Sequence, residues 1–94
     1  MPDAYRIEVS VAADRELAKL KDKILRQDFE RLRTSIRSLA ETPRPCGARK
    51  IKGAEHSYRI RAGSYRVVYD VYDRDRLVII LQVSRRTEST YRSV

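Results

Sequence analysis

The sequence predicts an α+β fold in which an N-terminal strand and a helical hairpin precede an antiparallel β-meander. Three observations lead to this prediction. Apolar residues recur every second position near the start of the chain, every third or fourth position up to Leu39, and every second position again after Cys46. A chain of 94 residues can bury one modest core, so we expect a single domain over residues 1–94.

The first 42 residues contain one strand pattern and two helix patterns. Tyr5 to Val11 alternate between apolar and polar residues, which predicts a half-buried strand. Two helical stripes follow, and their apolar members are Leu17, Leu20 and Ile24 in the first and Leu25, Phe29, Leu32, Ile36 and Leu39 in the second. Because the stripes differ in phase, we expect two antiparallel helices with a break near Asp22, whose side chain caps the second helix.

The second half of the chain has the pattern of a β-meander. Two prolines and a glycine within residues 43–47 indicate a loop, and residues 48–52 are compatible with a short strand. Period-two patterns then predict strands over 58–62 and 65–72, joined by a turn at Gly63 and Ser64. A turn at 73–75 precedes a strand over 76–84 that is apolar on both faces, as is typical of an interior strand. We expect the helical hairpin to cover one face of the sheet and the other face to stay open.

The charge is concentrated in the second half. The net charge is +8, and residues 43–94 carry 12 basic and 5 acidic side chains, whereas residues 1–42 carry 9 and 8. This excess favours a polyanionic partner. No apolar run is long enough to span a membrane and no signal peptide is visible, so we expect a cytoplasmic protein with no membrane partner. One cysteine and one histidine exclude a zinc finger, the carboxylates show no metal-site spacing, and we expect no metal or cofactor.

The alternation predicts where the arginines lie. Arg59 and Arg61 share a face, and Arg66 joins them if Tyr65 and Val67 face the helices. The remaining candidates are basic or aromatic residues near the same site, namely Lys50, Lys52, Arg85, Arg86, Tyr91 and Arg92. Guanidinium groups bind phosphate oxygens bidentately, and an exposed tyrosine can stack on a base, so this surface suits single-stranded RNA.

Simpler interpretations stand beside this one. Basic side chains on a strand face are often only solvated. Tyr58, Tyr65 and Tyr69 fall on the apolar phase and are expected in the core, whereas the phase of Tyr72 leaves its role open. His56 lies in a loop, and arginine does not deprotonate, so Tyr91 is the ionisable candidate for proton transfer.

The second half of the chain resembles the RelE/ParE toxin superfamily, and the RelE-like branch in particular. The resemblance is carried by KIKG at 50–53, YRIRAGSYRVVY at 58–69, VSRR at 83–86 and Tyr91-Arg92. It implies the RelE-like microbial RNase fold. It also implies a type II toxin, an endoribonuclease that enters the ribosomal A site, cleaves mRNA and inhibits translation. Its partners would be mRNA, the ribosome and a RelB-like antitoxin, with DNA contacted indirectly through that antitoxin.

Carried over residue by residue, the resemblance implies catalytic roles for Arg59, Arg61, Arg66, Arg86 and Tyr91. Arg66 and Arg86 match positions that bind and stabilise the scissile phosphate. Arg59 and Arg61 match lysine positions of the best-known member, where arginine acts only as a cation. Lys50, Lys52, Arg85 and Arg92 are expected to contact RNA.

Two other functions remain open from the sequence. One is a ParE-like toxin that inhibits DNA gyrase and cleaves nothing. The other is a basic RNA- or ribosome-binding module without catalysis.

Overall fold

The computed structural model describes residues 4–85, which form two helices and five strands. In chain order these elements are β1 (Arg6–Val9), α1 (Val11–Lys23), α2 (Arg26–Ser38), β2 (Arg49–Lys50), β3 (Ser57–Ala62), β4 (Tyr65–Tyr72) and β5 (Leu77–Arg85). This is the predicted order of elements, and the predicted α+β class is confirmed.

All five strands form one mixed sheet in the order β1-β5-β4-β3-β2. Strands β3, β4 and β5 make the predicted antiparallel meander, with β2 antiparallel to β3 at one edge. Strand β1 pairs in parallel with β5 at the other edge, where Ile7 lies opposite Val78. Alternation in the sequence predicts that β1 is a strand, but it carries no information about the partner or the direction of pairing.

The core lies between the sheet and the helices. Every second residue of β4 from Tyr65 to Val71 is buried, and these side chains pack with the buried side chains of β3, β5 and α2. Leu32 and Ile36 of α2 and Leu39, which follows its last residue as the C-cap, are buried members of the predicted stripe. Fully burying such a side chain contributes about 1.5–3 kcal/mol, so each of these residues contributes substantially to the stability of the fold.

The break between the helices differs from the prediction. Helix α1 continues through Asp22 to Lys23, and α2 begins only after Ile24 and Leu25, which both have extended backbone. Asp22 therefore does not cap α2; the cap residue is Leu25, which makes no side-chain capping hydrogen bond and is 66% exposed. Because Leu25 lies outside both helices, helical phase does not direct it to the core.

Within residues 4–85, neither helix has the length and apolar character needed to cross a membrane.

Helix α1 also begins earlier than the alternation indicates. Val11 was expected in the first strand, but it opens α1 and is 71% exposed. The reason is Ser10, whose Oγ accepts a hydrogen bond from the Ala13 amide at 3.1 Å. The same hydroxyl donates to the Leu81 carbonyl of β5 at 3.2 Å, so the start of α1 is tied to the sheet.

A bulge in β5 explains why apolar residues of this strand do not keep a simple period of two. Val68 pairs with Gln82 and Tyr69 pairs with Ile80, which leaves Leu81 as an extra residue. The shift in phase lets Val83 and Ile80, three positions apart, both point into the core. Side chains from the α1 region satisfy nearby backbone groups, because Ser10 donates to the Leu81 carbonyl and Glu16 accepts from the Val83 amide at 2.7 Å.

A polar cluster joins the loop before β2 to the sheet. Asp73 accepts hydrogen bonds from Arg44 at 2.7 Å and from the Tyr5 hydroxyl at 2.6 Å. Arg44 also donates to the Tyr58 hydroxyl at 3.0 Å, and the buried Tyr69 donates to the Pro43 carbonyl at 2.7 Å. The hydrogen bond from Arg44, followed by that from Tyr5, holds the pKa of Asp73 below its usual value. The cluster therefore needs the ionised carboxylate.

The cluster predicts an acid-sensitive contribution to stability. The lowered folded-state pKa of Asp73 means that its contribution is present above the unfolded pKa of about 3.9 and is lost as the pH falls through the folded pKa. We expect Asp73→Asn to lower the free energy of unfolding at pH 7, and the difference from the parent protein to vanish in strong acid. Urea denaturation followed by circular dichroism measures this difference.

Asp75→Asn is the matched control, because Asp75 lies in the same turn and is exposed. We expect this change to lower the free energy of unfolding at pH 7 much less than Asp73→Asn does. An equal, pH-independent effect of both substitutions would contradict the assignment to the Arg44 and Tyr5 contacts.

Candidate functional site

Four arginines lie together on the open face, the face of the sheet that the helices do not cover. Arg61 pairs with Arg66 across β3 and β4, and Arg59 pairs with Arg49 across β3 and β2. Directly opposed residues share a face, and Arg59 and Arg61 are two positions apart, so all four side chains lie on one side. The predicted common face of Arg59, Arg61 and Arg66 is therefore what the strand register produces.

These arginines surround a small cleft, which we call the arginine cleft. Its walls are Gly47, Arg49, Arg59, Ile60, Arg61 and Arg66, and its volume is about 30 Å³. That volume holds a water molecule or a phosphate oxygen but not a nucleobase. Like charges that face one another across strands are destabilising, so the cleft favours occupation by an anion.

Three of the four guanidinium groups are uncompensated within the described chain. Among residues 4–85, the side chains of Arg49, Arg59 and Arg61 form no ion pair. All three residues are exposed, whereas Arg66 is half-buried. Planar guanidinium groups bind a phosphate with two parallel hydrogen bonds, so the arrangement is suited to a phosphodiester.

Arg49 lines the cleft although it is not among the residues predicted from the sequence, whereas Lys50, which is among them, does not line it. Lys50 pairs with Tyr58, so it lies on the opposite face from the arginines. Its ammonium group is 5.1 Å from the centre of the Tyr58 ring and donates to the Glu55 carbonyl at 2.7 Å. The sequence predicts a short strand over residues 48–52, but choosing between the two basic neighbours requires the register of β2 against β3. Lys52 is exposed in the turn after β2.

The end of β5 also departs from the expectation. Arg85 pairs with Tyr65, whose side chain is in the core, so Arg85 lies on the helix-covered face and not among the four arginines. It lines a depression together with Ile24 and Leu25 of the α1–α2 connection and Asp28 in the first turn of α2. Arg86, Tyr91 and Arg92 lie outside the described residues.

The described walls of the cleft hold no group that can exchange a proton near neutral pH. The carboxylate of Asp70 lies further along the same face, where it accepts from the Ser57 hydroxyl and from the Tyr72 hydroxyl at 2.9 Å. This contact raises the pKa of Tyr72 above its usual value. The His56 ring centre is 4.7 Å from that of Tyr72, at the same end of the face. Tyr72, whose role the sequence left open, therefore belongs to a hydrogen-bonded aromatic group.

The tyrosines expected in the core are found there or at its margin. Tyr65 and Tyr69 are buried, and Tyr58 is half-buried with its ring centre 6.1 Å from that of Tyr69. Burial raises the pKa of Tyr69 to about 12. These rings support the sheet from the face opposite the arginines and do not stack on a base at the cleft. Among residues 4–85, no group of three His, Cys, Asp or Glu side chains is arranged to hold a metal ion.

The sequence matches one protein-family model and a curated relative. A family model described as the ParE toxin of the type II toxin–antitoxin system parDE matches residues 7–90. The RelE1 protein of Methanocaldococcus jannaschii, which is named as a candidate toxin, is 34% identical over 82 residues. That match covers 84% of this chain and 89% of the relative.

Solved structures agree with the fold. The isolated Escherichia coli RelE toxin superposes with a TM-score of 0.71 at 26% identity, and the match covers 96% of this chain and 95% of that chain. The toxin in the intact E. coli RelBE toxin–antitoxin complex has a TM-score of 0.70 at 26% identity over 90% of this chain and 100% of its own. An archaeal RelE–RelB complex from Pyrococcus horikoshii reaches 0.75 at 24% identity, covering 90% and 98% of the two chains.

The geometry of the cleft predicts a localised contribution to anion binding. We expect Arg61→Gln to weaken binding of a single-stranded RNA oligonucleotide and to lower the slope of log affinity against log salt concentration by about 0.7. Fluorescence anisotropy over a range of salt concentrations measures both quantities.

Arg15→Gln provides the control, since Arg15 is an exposed residue of α1 on the other layer. We expect it to change the affinity far less. Equal losses from the two substitutions would show that binding depends on net charge alone and would contradict a localised cleft.

Proposed function

The chain belongs to the RelE/ParE superfamily of toxins from type II toxin–antitoxin systems, and from this membership we propose that it is an endoribonuclease that cleaves mRNA in the ribosomal A site. The observation that carries the proposal is the arginine cleft, where Arg66 and three arginines that form no ion pair among residues 4–85 line one small space. Cleavage in the A site would inhibit translation.

The cleft supports the electrostatic part of RNA cleavage. In this reaction the 2′-oxygen loses its proton and bonds to the adjacent phosphorus, while the bond from phosphorus to the 5′-oxygen breaks and that oxygen gains a proton. Negative charge builds up on the phosphate oxygens in the transition state. Fixed cations that already surround that position stabilise the charge without reorganisation, and loss of one such donor costs about 100-fold in rate or more.

We assign two roles to the site residues: the arginines stabilise negative charge on the phosphate, and one tyrosine transfers protons. Arg59, Arg61 and Arg66 bind and stabilise the scissile phosphate, together with Arg86, which follows β5 directly in the sequence. We add Arg49 to this group because it lines the same cleft. Because arginine does not deprotonate, we assign proton transfer to the side chain of Tyr91.

The partners follow from the same proposal. The ribosome would bring the mRNA to the open face, and the net charge of +8 would favour approach to ribosomal RNA in the cytoplasm. A RelB-like antitoxin would hold the toxin inactive and would provide any contact with DNA. The supporting observation is that relatives in the solved structures are RelE–RelB complexes.

A second candidate function is inhibition of DNA gyrase without cleavage. The observation in its favour is that the matching family model is the one described for ParE toxins. The two candidates differ in their readouts, because a gyrase inhibitor blocks DNA supercoiling and leaves mRNA intact. Inhibition of supercoiling with no RNA cleavage would favour the ParE-like function.

The proposed cleavage predicts defined products. In a translating extract with one mRNA, primer extension is expected to map cuts at positions set by the reading frame. We expect Arg66→Ala or Arg86→Ala to lower the cleavage rate by about 100-fold, because each removes a preorganised cation from the transition state. Arg15→Ala is expected to cut at the parental rate.

Two results would contradict the proposed nuclease function. One is the absence of cuts positioned by codons with the parental protein. The other is undiminished cutting by Arg86→Ala in a preparation that melts at the parental temperature.

The proposed antitoxin predicts a growth phenotype. Expression of the chain alone is expected to arrest growth, and expression together with the neighbouring open reading frame is expected to restore it. Growth curves with and without the second gene measure this. Harmless expression of the chain alone would count against a toxin that needs a bound inhibitor.

A further inference from the structure

A larger depression adjoins the arginine cleft and lies between α2 and the loop that leads into β2. Its volume is about 450 Å³, within the range of about 300–1,000 Å³ that is typical of small-molecule pockets. Its walls are Ser35, Ser38, Pro45, Cys46, Gly47, Arg49, Ile60 and Arg61. No pattern in the sequence predicts that the serines of α2 lie near the arginines of the sheet.

The depression and the cleft form one continuous surface. They share Gly47, Arg49, Ile60 and Arg61 as walls. The cleft itself is too small for a sugar or a base. An RNA strand with one phosphate in the cleft must therefore place the adjoining sugar and base in a neighbouring space, and the depression begins at the same two guanidinium groups.

The walls of the depression suit a nucleoside. Pro45 and Ile60 provide apolar contacts for the face of a base. The Ser38 hydroxyl donates to the Ser35 carbonyl at 2.8 Å, so its oxygen lone pairs remain to accept a hydrogen bond. An exocyclic amino group or a ribose 2′-OH is a donor of the right kind. The shared wall carries the positive charges of Arg49 and Arg61, which suit the phosphate of the same nucleotide.

We propose that this depression is a nucleoside subsite, which holds the sugar and base next to the phosphate bound by the arginine cleft. This proposal rests on the proposed function, because both require RNA to bind at the arginine cleft. It goes further by assigning a role to Ser35, Ser38 and the 45–47 loop. The subsite fixes the position of the strand, whereas the cleft alone binds any phosphate of the chain.

Cys46 allows a direct test, because it is exposed, lies in the wall of the depression and is the chain's one cysteine. A bound ligand typically buries about 70–90% of its surface against the pocket, so the thiol loses access to solvent when the subsite is filled. We expect a saturating single-stranded RNA nonamer to slow alkylation of Cys46 by iodoacetamide by about five-fold. Mass spectrometry measures the rate, and anisotropy on the same samples confirms that the RNA is bound.

Three controls make the experiment specific. In the first, Cys46→Ser is combined with Ala12→Cys, which moves the thiol to an exposed position of α1, where RNA is expected to leave the alkylation rate unchanged. In the second, Ser38→Leu fills the depression and is expected to weaken RNA binding several-fold, whereas Thr34→Leu introduces a leucine at an exposed site of α2 outside the walls. In the third, polyglutamate replaces RNA and is expected not to protect Cys46.

The outcomes separate this inference from the proposed function. RNA that binds without protecting Cys46 overturns the subsite and leaves the cleavage proposal standing. Protection equal to that of RNA by polyglutamate also overturns it, because the depression would then be a site for acidic peptides, and absence of RNA binding overturns it outright. Protection of Cys46 without ribosomal cleavage supports the subsite and contradicts the nuclease function.

Discussion

The arrangement of the site depends on the register between β3 and β4. Burial of Tyr65 and Val67 on one face fixes the pairing, and that pairing sets Arg61 opposite Arg66 on the other face. A slip of one residue would exchange the two faces and bring arginines into the core, at a cost far above the stability of a small protein. The apolar core and the cationic cleft therefore both result from one strand pairing. No further interaction is needed to bring Arg61 and Arg66 to the same face.

The polar cluster at the end of the sheet also positions the loop before β2 relative to the strands. Arg44 and Pro43 are held by Asp73 and Tyr69, which belong to the turn after β4 and to β4 itself. The loop leads from these anchored residues to Arg49, which pairs with Arg59 at the edge of β3. Both the arginine cleft and the larger depression include Gly47 as a wall, so the anchoring of this loop bears on each of them.

Most of the fold and part of the site follow from the sequence. The period-two patterns give β3 and β4 almost to the residue, and hence the common face of Arg59, Arg61 and Arg66. Capping chemistry at Ser10 overrides the alternation that continues to Val11, and the bulge at Leu81 shifts the phase of β5. Arg49 was missed because cross-strand register is a property of the pair of strands, which the spacing within either one does not encode. The same reason explains the misplacement of Lys50 and Arg85.

The two side chains that meet β5 from the start of α1 have a consequence for solubility. Strand β1 ends at Val9, and beyond it Ser10 and Glu16 occupy backbone groups of Leu81 and Val83 that would otherwise remain available to another strand. At the opposite edge, β2 is only two residues long. Short or covered edges are the usual protection of β-sheets against edge-to-edge aggregation. Both edges of the described sheet are therefore short or covered, and the Glu16 carboxylate has a second role beside stabilising the fold, because it keeps the Val83 amide from pairing with a second copy of the chain.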